Sequence, residues 1–261
     1  MSGFSAAWLA LREPADAAAR SSALVDFIAR ASVGRPFQGR LIDLGGGTGA
    51  NIRYLAPKLP APQLWTIIDN DASLLDRAPA HVTRHQADLN TVVDEQLFSG
   101  SSLVTASALL DLVSERWLAR LVARCNAAGA SVLFALSYDG RISCSPEEPE
   151  DEDVRQLVNL HQKGDKGFGP ALGPDAAARA VQLLVEAGYT TRQEQSDWTL
   201  TAESRMLQRE LLSGWADAAS AIAPDRKTAI AGWRRRRLAH VDAGQSRILV
   251  GHVDVAGILR A

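Results

Sequence analysis

Residues 40–51, RLIDLGGGTGAN, decide how the rest of this chain is read. An apolar run stops at an acid, Asp43, and then at a cluster of glycines. The pattern predicts a buried strand, a tight turn and a helix start whose free backbone N–H groups face a ligand. A side chain at Gly45 or Gly47 would hold the backbone away from whatever lies over the turn. The turn therefore reads as a cofactor cradle.

The register of the glycines leaves two cofactors open. Gly45, Gly47 and Ala50 satisfy the dinucleotide spacing G-x-G-x-x-G/A, which keeps a nicotinamide reading in play. Asp43, Gly45, Gly47 and Gly49 fit D-x-G-x-G-x-G better, and an acid before the first glycine suits a ligand bearing an ammonium group. In this form the stretch resembles motif I of the class I S-adenosylmethionine-dependent methyltransferases. The resemblance implies an α/β fold: a seven-stranded, mostly parallel Rossmann-like sheet with helices on both faces and an antiparallel last strand. It also implies S-adenosyl-L-methionine as cofactor, bound around Asp43, Gly45, Gly46 and Gly47.

Further residues take their roles from the same resemblance. Asp69 ends the strand predicted for Gln63 to Ile68, where a carboxylate accepts hydrogen bonds from ribose hydroxyls, with Asn70 beside it. Asp71 is the better helix cap of the two acids. In VTRHQADLN, residues 82–90, Asp88 resembles the acid that meets the adenine amino group, and Leu89 the neighbour that helps to hold the base. The end of the strand Ser102 to Ala108 faces the transferring methyl in related enzymes, so the resemblance places Ser107 and Asp111 at the border of the reaction centre. An N-terminal helix closes over the cofactor in many of them, and Arg20 is the candidate to meet the methionine carboxylate. The sequence ASALLD, residues 106–111, departs from the N/D-P-P-Y/F of adenine-N6 and many amino-methylating enzymes. It looks more like a small-molecule methyltransferase, acting on oxygen or nitrogen.

Composition bounds this reading. The 261 residues carry 28 Lys and Arg against 30 Asp and Glu, a net charge of −2 that argues against a dedicated nucleic-acid binder. Cys125 and Cys144 form no metal-ligand spacing and suit a reducing compartment. The charged, proline-containing start is no secretory signal, and no apolar run approaches a membrane span, so a cytoplasmic protein is expected. Oligomeric state is not encoded legibly; a homodimer is compatible.

One methyltransferase domain is expected over residues 1–261, with a helical cap over 1–35, interrupted near Glu13 and Pro14. Ala130 to Ser137 reads as a central strand opening into a lid-like excursion, residues 138–174, with a helix from about Asp151 to Gln162. Four glycines and Phe168 make LHQKGDKGFGPALG, residues 160–173, a flexible loop over a site. Within it His161 is a candidate general base, and Asp165 a candidate to bind or deprotonate an acceptor. A strand over Tyr189 to Leu200, a helical insertion over 201–243 and a last strand over Ser246 to Leu259 complete the sheet. The acidic run SPEEPEDEDV reads as a solvated loop and an acidic first helical turn. Arg234 to Arg237 reads as a solvated helix end, or else as a patch for RNA or protein in a macromolecule methyltransferase. A nicotinamide-dependent enzyme and a non-catalytic cofactor-binding module are the other rivals.

Overall fold

A computed structural model describes residues 4–31, 39–93 and 96–259. Residues 1–3 and 32–35 of the expected cap, and the last two residues of the chain, lie outside the described ones. In chain order the elements are α1 Ala6–Ala19, α2 Ser22–Ala31, β1 Arg40–Leu44, α3 Ala50–Leu55, β2 Leu64–Asp69, α4 Ala72–Leu75, β3 Thr83–Gln86, α5 Leu89–Val92, β4 Ser101–Ser107 and α6 Glu115–Ala128. There follow β5 Ser131–Ser145, α7 Asp151–Gln162, α8 Ala176–Glu186, β6 Tyr189–Gln195, β7 Trp198–Leu200, α9 Arg205–Ile222, α10 Lys227–Asp242 and β8 Arg247–Leu259.

The strands form one sheet in the order β3-β2-β1-β4-β5-β8-β6, with β7 also paired to β8. Strands β1 to β5 run parallel, and β8 runs antiparallel to β5, β6 and β7. The apolar runs of β1, β2, β4 and β5 are what a parallel sheet covered on both faces requires. Alternation along β1 sends Ile42 and Leu44 to the face covered by α6 and α8, and Leu41 to the face covered by α2 and α3. Asp43 shares the face of Leu41, so this carboxylate lies under α3. Each fully buried leucine or isoleucine of these clusters contributes about 1.5–3 kcal/mol.

The sheet has eight strands rather than seven, because the run 189–200 breaks at Ser196 and Asp197. Ser196 donates its N–H to the His252 carbonyl at 2.9 Å. The Asp197 carboxylate accepts from the guanidinium of Arg141 at 2.7 and 2.9 Å and from the His252 N–H at 3.1 Å. The excursion expected from residue 138 is also partly strand. Strand β5 continues to Ser145, paired with β8 as far as Ser145 opposite Arg247, with irregular register near Leu136 and Gly140. Leu136 holds a left-handed conformation, φ 55°, with its N–H donating to Asp254 at 2.7 Å.

Helix α1 runs through Pro14 instead of stopping there, and the chain breaks at Arg20 and Ser21. Only one ladder bond is lost by this, since proline lacks the N–H that would reach the carbonyl four residues back. Helix α2 packs on β5 and β8 as well as on β6.

The extended ends of β5 and β8, with β7, carry a third apolar cluster that α7, α9, α10 and one side of α1 cover. The acidic and arginine runs meet there, so neither is simply solvated. Arg237 is fully buried and forks onto the Asp151 carboxylate, with its Nη1 donating to the Pro146 carbonyl. Trp233 donates to the same carboxylate at 2.8 Å, Arg236 binds Glu148 and Glu150 at 2.5 Å each, and His240 meets Glu148 at 2.9 Å. Arg234 and Arg235 stay exposed. Among the described residues no helix is long and apolar enough to cross a membrane.

Replacing Arg237 with Met leaves Asp151 without its main counter-charge, and we expect urea unfolding to report a loss of about 3 kcal/mol. Arg234→Met on the same helix is expected to change stability by less than about 0.5 kcal/mol. Equal effects of the two variants would show that the clasp does not hold this layer.

Candidate active site

Strand order reverses between β1 and β4, and a cavity of about 980 Å³ opens at the carboxyl ends of these strands. Such a switch point is where open α/β sheets bind ligands, because the loops leaving neighbouring strands diverge there. Its floor is the glycine turn. Gly45, Gly47 and Gly49 take φ values of 61°, 53° and 83°, which other residues adopt at a cost. Close approach adds a second constraint. A Cβ on Gly46 would sit 2.5 Å from Ile67 Cγ1, and one on Gly47 would sit 2.9 Å from Leu9 Cδ1. What lies over Gly47 is therefore α1 itself.

Two buried charges flank the turn. Asp43 is fully buried, and desolvation pushes its carboxyl up to about 7, against the opposing pull of Asn51 and Arg20. Asn51 Nδ2 donates to Asp43 Oδ1 at 2.5 Å and to Thr105 Oγ1 at 3.2 Å, while Asn51 Oδ1 accepts from Arg20 Nη1. Arg20, at the C-cap of α1, lies over the Tyr54 ring at 4.5 Å. Burial works against its charge, and Asp254 is the largest counterweight. The other Asp43 oxygen, Oδ2, and Arg20 Nε and Nη2 have no partner among the described residues. Both residues line the cavity.

The remaining candidates for the cofactor also reach the wall: Gly45, Gly46, Gly47, Asp69, Asn70, Asp88, Leu89 and Ser107 all line the cavity. Asp69 is partly engaged, accepting from Gly47 N at 2.9 Å and from Asp71 N at 3.0 Å. A carboxylate offers about four acceptor positions, so lone pairs remain for a ligand. Asp88 caps α5, accepting from Asn90 N at 2.9 Å. Leu89 is held by its carbonyl, which accepts from Trp117 Nε1 at 2.7 Å. Beyond Ser107, Ala108 is held left-handed at φ 51°, its N–H bonded to the Ala135 carbonyl at 2.9 Å. A non-glycine residue in that region costs on the order of 1 kcal/mol, and the strain sits at the end of β4 beside the cavity.

The three candidate acid-base residues part company here. Asp165 lines the cavity, but its Oδ1 accepts from Gly167 N at 2.6 Å and Gly169 N at 3.0 Å, which folds the loop back on itself. His161 is not among the lining residues. Its Nδ1 stands 3.3 Å from Lys166 Nζ, and its carbonyl accepts from the same ammonium at 2.9 Å. An ammonium only donates, so this nitrogen is the imidazole's acceptor. Burial and then Lys166 push the His161 pKa down. Asp111 is buried and does not line the cavity, its Oδ1 without a partner among the described residues and its carboxyl pushed up to about 6 by desolvation.

Several lining residues have no local signature. Asn51 sits inside the opening stretch, yet nothing in its neighbours says that it joins Asp43 to Arg20. Arg12, paired with Asp16 at 2.9 Å, and Lys166 and Phe168 of the loop also line the cavity. Only the alternation of large residues with glycine in KGFG hints at the last two. Among the described residues no group of three or more His, Cys, Asp or Glu is placed to hold a metal ion.

Comparison with known proteins concerns the fold. No family model matches the chain. No curated protein matches it either. Among solved structures, the YcgJ protein from Bacillus subtilis is similar at 12% identity and a TM-score of 0.50, over 92% of this chain and 100% of that one. The cyclopropane synthase MmaA2 from Mycobacterium tuberculosis aligns at 13% identity and a TM-score of 0.49, over 97% and 94% of the two chains. A phosphoethanolamine N-methyltransferase from Haemonchus contortus aligns at 14% identity and a TM-score of 0.48, covering 100% of this chain and 59% of that one. The sheet, parallel but for its antiparallel β8 and covered by helices on both faces, is a Rossmann-like α/β fold.

The raised carboxyl of Asp43 has a signed consequence for stability. In the unfolded chain this group ionises near 3.8, so between about pH 4 and pH 7 the folded protein binds the extra proton. Its contribution is fully present below that range and is lost as pH rises through about 7. We expect the stability of Asp43→Asn, relative to the wild type, to increase from pH 4 to pH 7 by a few kcal/mol, since each tenfold difference in proton affinity between folded and unfolded chain is worth about 1.4 kcal/mol. Parallel pH dependences of the two proteins in urea titrations would show that Asp43 titrates as an ordinary carboxyl.

Proposed function

We propose that this chain is an S-adenosylmethionine-dependent methyltransferase acting on a small-molecule acceptor, at oxygen or nitrogen, with residues 1–261 forming one methyltransferase domain. The observation that carries the reading is the pair of unpartnered buried charges beside the glycine turn, Asp43 Oδ2 and the Arg20 N–H groups. A buried carboxylate and a buried guanidinium with unpartnered atoms, on two residues that line one cavity, fit the ammonium and carboxylate of an α-amino acid. Unsatisfied groups of this kind are costly unless a ligand completes them.

On this reading Arg20 holds the methionine carboxylate and Asp43 the ammonium. Asp69 and Asn70 meet the ribose, Asp88 and Leu89 the adenine, and the backbone at Gly45, Gly46 and Gly47 lies against the methionine part. Ser107 borders the reacting groups. The donor's sulfonium makes its methyl group electrophilic. The protein's part is to hold an acceptor in line and to exclude water, which α1 and the loop around Asp165 do from above. An amine that is already neutral needs no base. For a hydroxyl acceptor none of the three acid-base candidates is set to take the proton directly: Asp111 and His161 do not line the cavity, and Asp165 holds N–H groups of its own loop. A cytoplasmic location accords with two free cysteines, both buried.

The rivals fare worse on particular contacts. A pyrophosphate would approach the turn where Leu9 sits and would meet the Asp43 carboxylate, which disfavours a nicotinamide cofactor. An RNA or protein acceptor loses its main support, because Arg236 and Arg237 are spent on Glu148, Glu150 and Asp151.

Calorimetric titration with S-adenosylhomocysteine and with NAD on one preparation tests the reading. Binding of the first and not the second is expected; the reverse overturns it. Arg20→Met is expected to weaken S-adenosylhomocysteine by about 2 kcal/mol, through loss of charge-assisted hydrogen bonds. Undiminished affinity in that variant would remove Arg20 from the donor site.

A further inference from the structure

The cavity carries one more charged group that the donor reading leaves unused. Resting on that reading, we propose that Lys166 is a specificity-determining residue, and that it selects an acceptor bearing a carboxylate or similar anion beside an apolar body.

Five cations among the described residues line the cavity, and four of them are engaged. Arg12 is paired with Asp16 at 2.9 Å, and Arg53 at the rim with Glu13 at 2.6 Å. Lys58 lies over the Tyr54 ring at 3.7 Å and donates to the Tyr54 carbonyl at 3.0 Å. Arg20 has the donor carboxylate. Lys166 meets only the His161 carbonyl and ring nitrogen, and among the described residues it neither forms an ion pair nor lies over an aromatic ring. An ammonium has three N–H groups, so one stays uncommitted. Asp111 helps to keep Lys166 charged against burial without forming an ion pair with it among the described residues.

The loop is built to hold this ammonium in place. Asp165 grips the N–H groups of Gly167 and Gly169, and Asn90 Nδ2 donates to the Gly167 carbonyl at 2.8 Å. Gly167 and Gly169 take φ values of 99° and 83°. The two side chains between these anchors, Lys166 and Phe168, both line the cavity. Phe168 packs edge-on against Trp117 with ring centres 5.6 Å apart, while Leu109 and Leu112 add apolar wall beyond the end of β4. A fixed cation beside an aromatic and aliphatic wall matches an amphipathic acid. An acceptor amine's positive charge would be repelled there.

The test is equilibrium binding to protein saturated with S-adenosylhomocysteine. The probes are phenylacetate, 4-hydroxybenzoate and octanoate, each set against its amide, with phenethylamine and octylamine as cations. The wild type is expected to prefer at least one carboxylate over its amide by about tenfold or more, the worth of a charged hydrogen bond. The preference is expected to persist in Lys166→Arg and to vanish in Lys166→Met and Lys166→Gln, while these variants still bind S-adenosylhomocysteine. No carboxylate binding, tighter amine binding, or a preference that survives both neutral variants would each overturn the proposal. Absence of S-adenosylhomocysteine binding by the wild type overturns the donor reading and this inference together. Normal binding without anion preference overturns the inference alone.

Discussion

The buried contact between Arg20, Asn51 and Asp43 is the constraint on which the rest of the site depends. Three polar side chains from α1, α3 and β1 meet beneath the glycine turn, where each would be costly if left alone. Asn51 uses one amide to accept from a guanidinium and donate to a carboxylate, so it screens two opposite charges while keeping them apart. Both residues line the cavity and keep atoms without a partner among the described residues. The same contact also anchors the C-terminal end of α1, which places Leu9 over Gly47.

Helix α1 needs a second support, and the extended part of the sheet supplies it. Trp198 of β7 donates to Asp16 at 3.1 Å, and the Arg12 guanidinium lies 5.0 Å from the Trp198 ring centre. Trp198 stands in the third apolar cluster with α7, α9 and α10, the layer that Arg237 and Asp151 clasp. The helices inserted before β8 thus bear on the roof of the cavity through a tryptophan, without lining the cavity themselves. Breaking that layer would reach the site through α1.

Local pattern made much of this legible. The apolar runs of β1, β2, β4 and β5 announce strands covered on both faces, and α7 falls at Asp151–Gln162, where the acidic start and apolar spacing place it. The glycine turn and Asp69 are readable because positive φ and a strand-end carboxylate are properties of a few adjacent residues. The prolongation of β5 was not, because Asp139 and Gly140 spell a turn locally; they form an irregularity, Gly140 at φ 88°, beyond which pairing with β8 resumes at Ile142. Nor was the break at Ser196, which depends on Arg141 reaching Asp197 from another strand.

Local sequence suffices for the order of elements, the cradle at residues 45–49 and the face of β1 on which Asp43 lies, since these follow from periods of two and 3.6 and from the freedom of glycine. Which charges are satisfied at home is settled only when the chain folds. Folding pairs Arg237 with Asp151 and leaves Arg20, Asp43 and Lys166, which line one cavity, without an ion-pair partner among the described residues. Charge pairing joins residues far apart in sequence, and no local pattern says which arginine finds a carboxylate and which is left for a ligand.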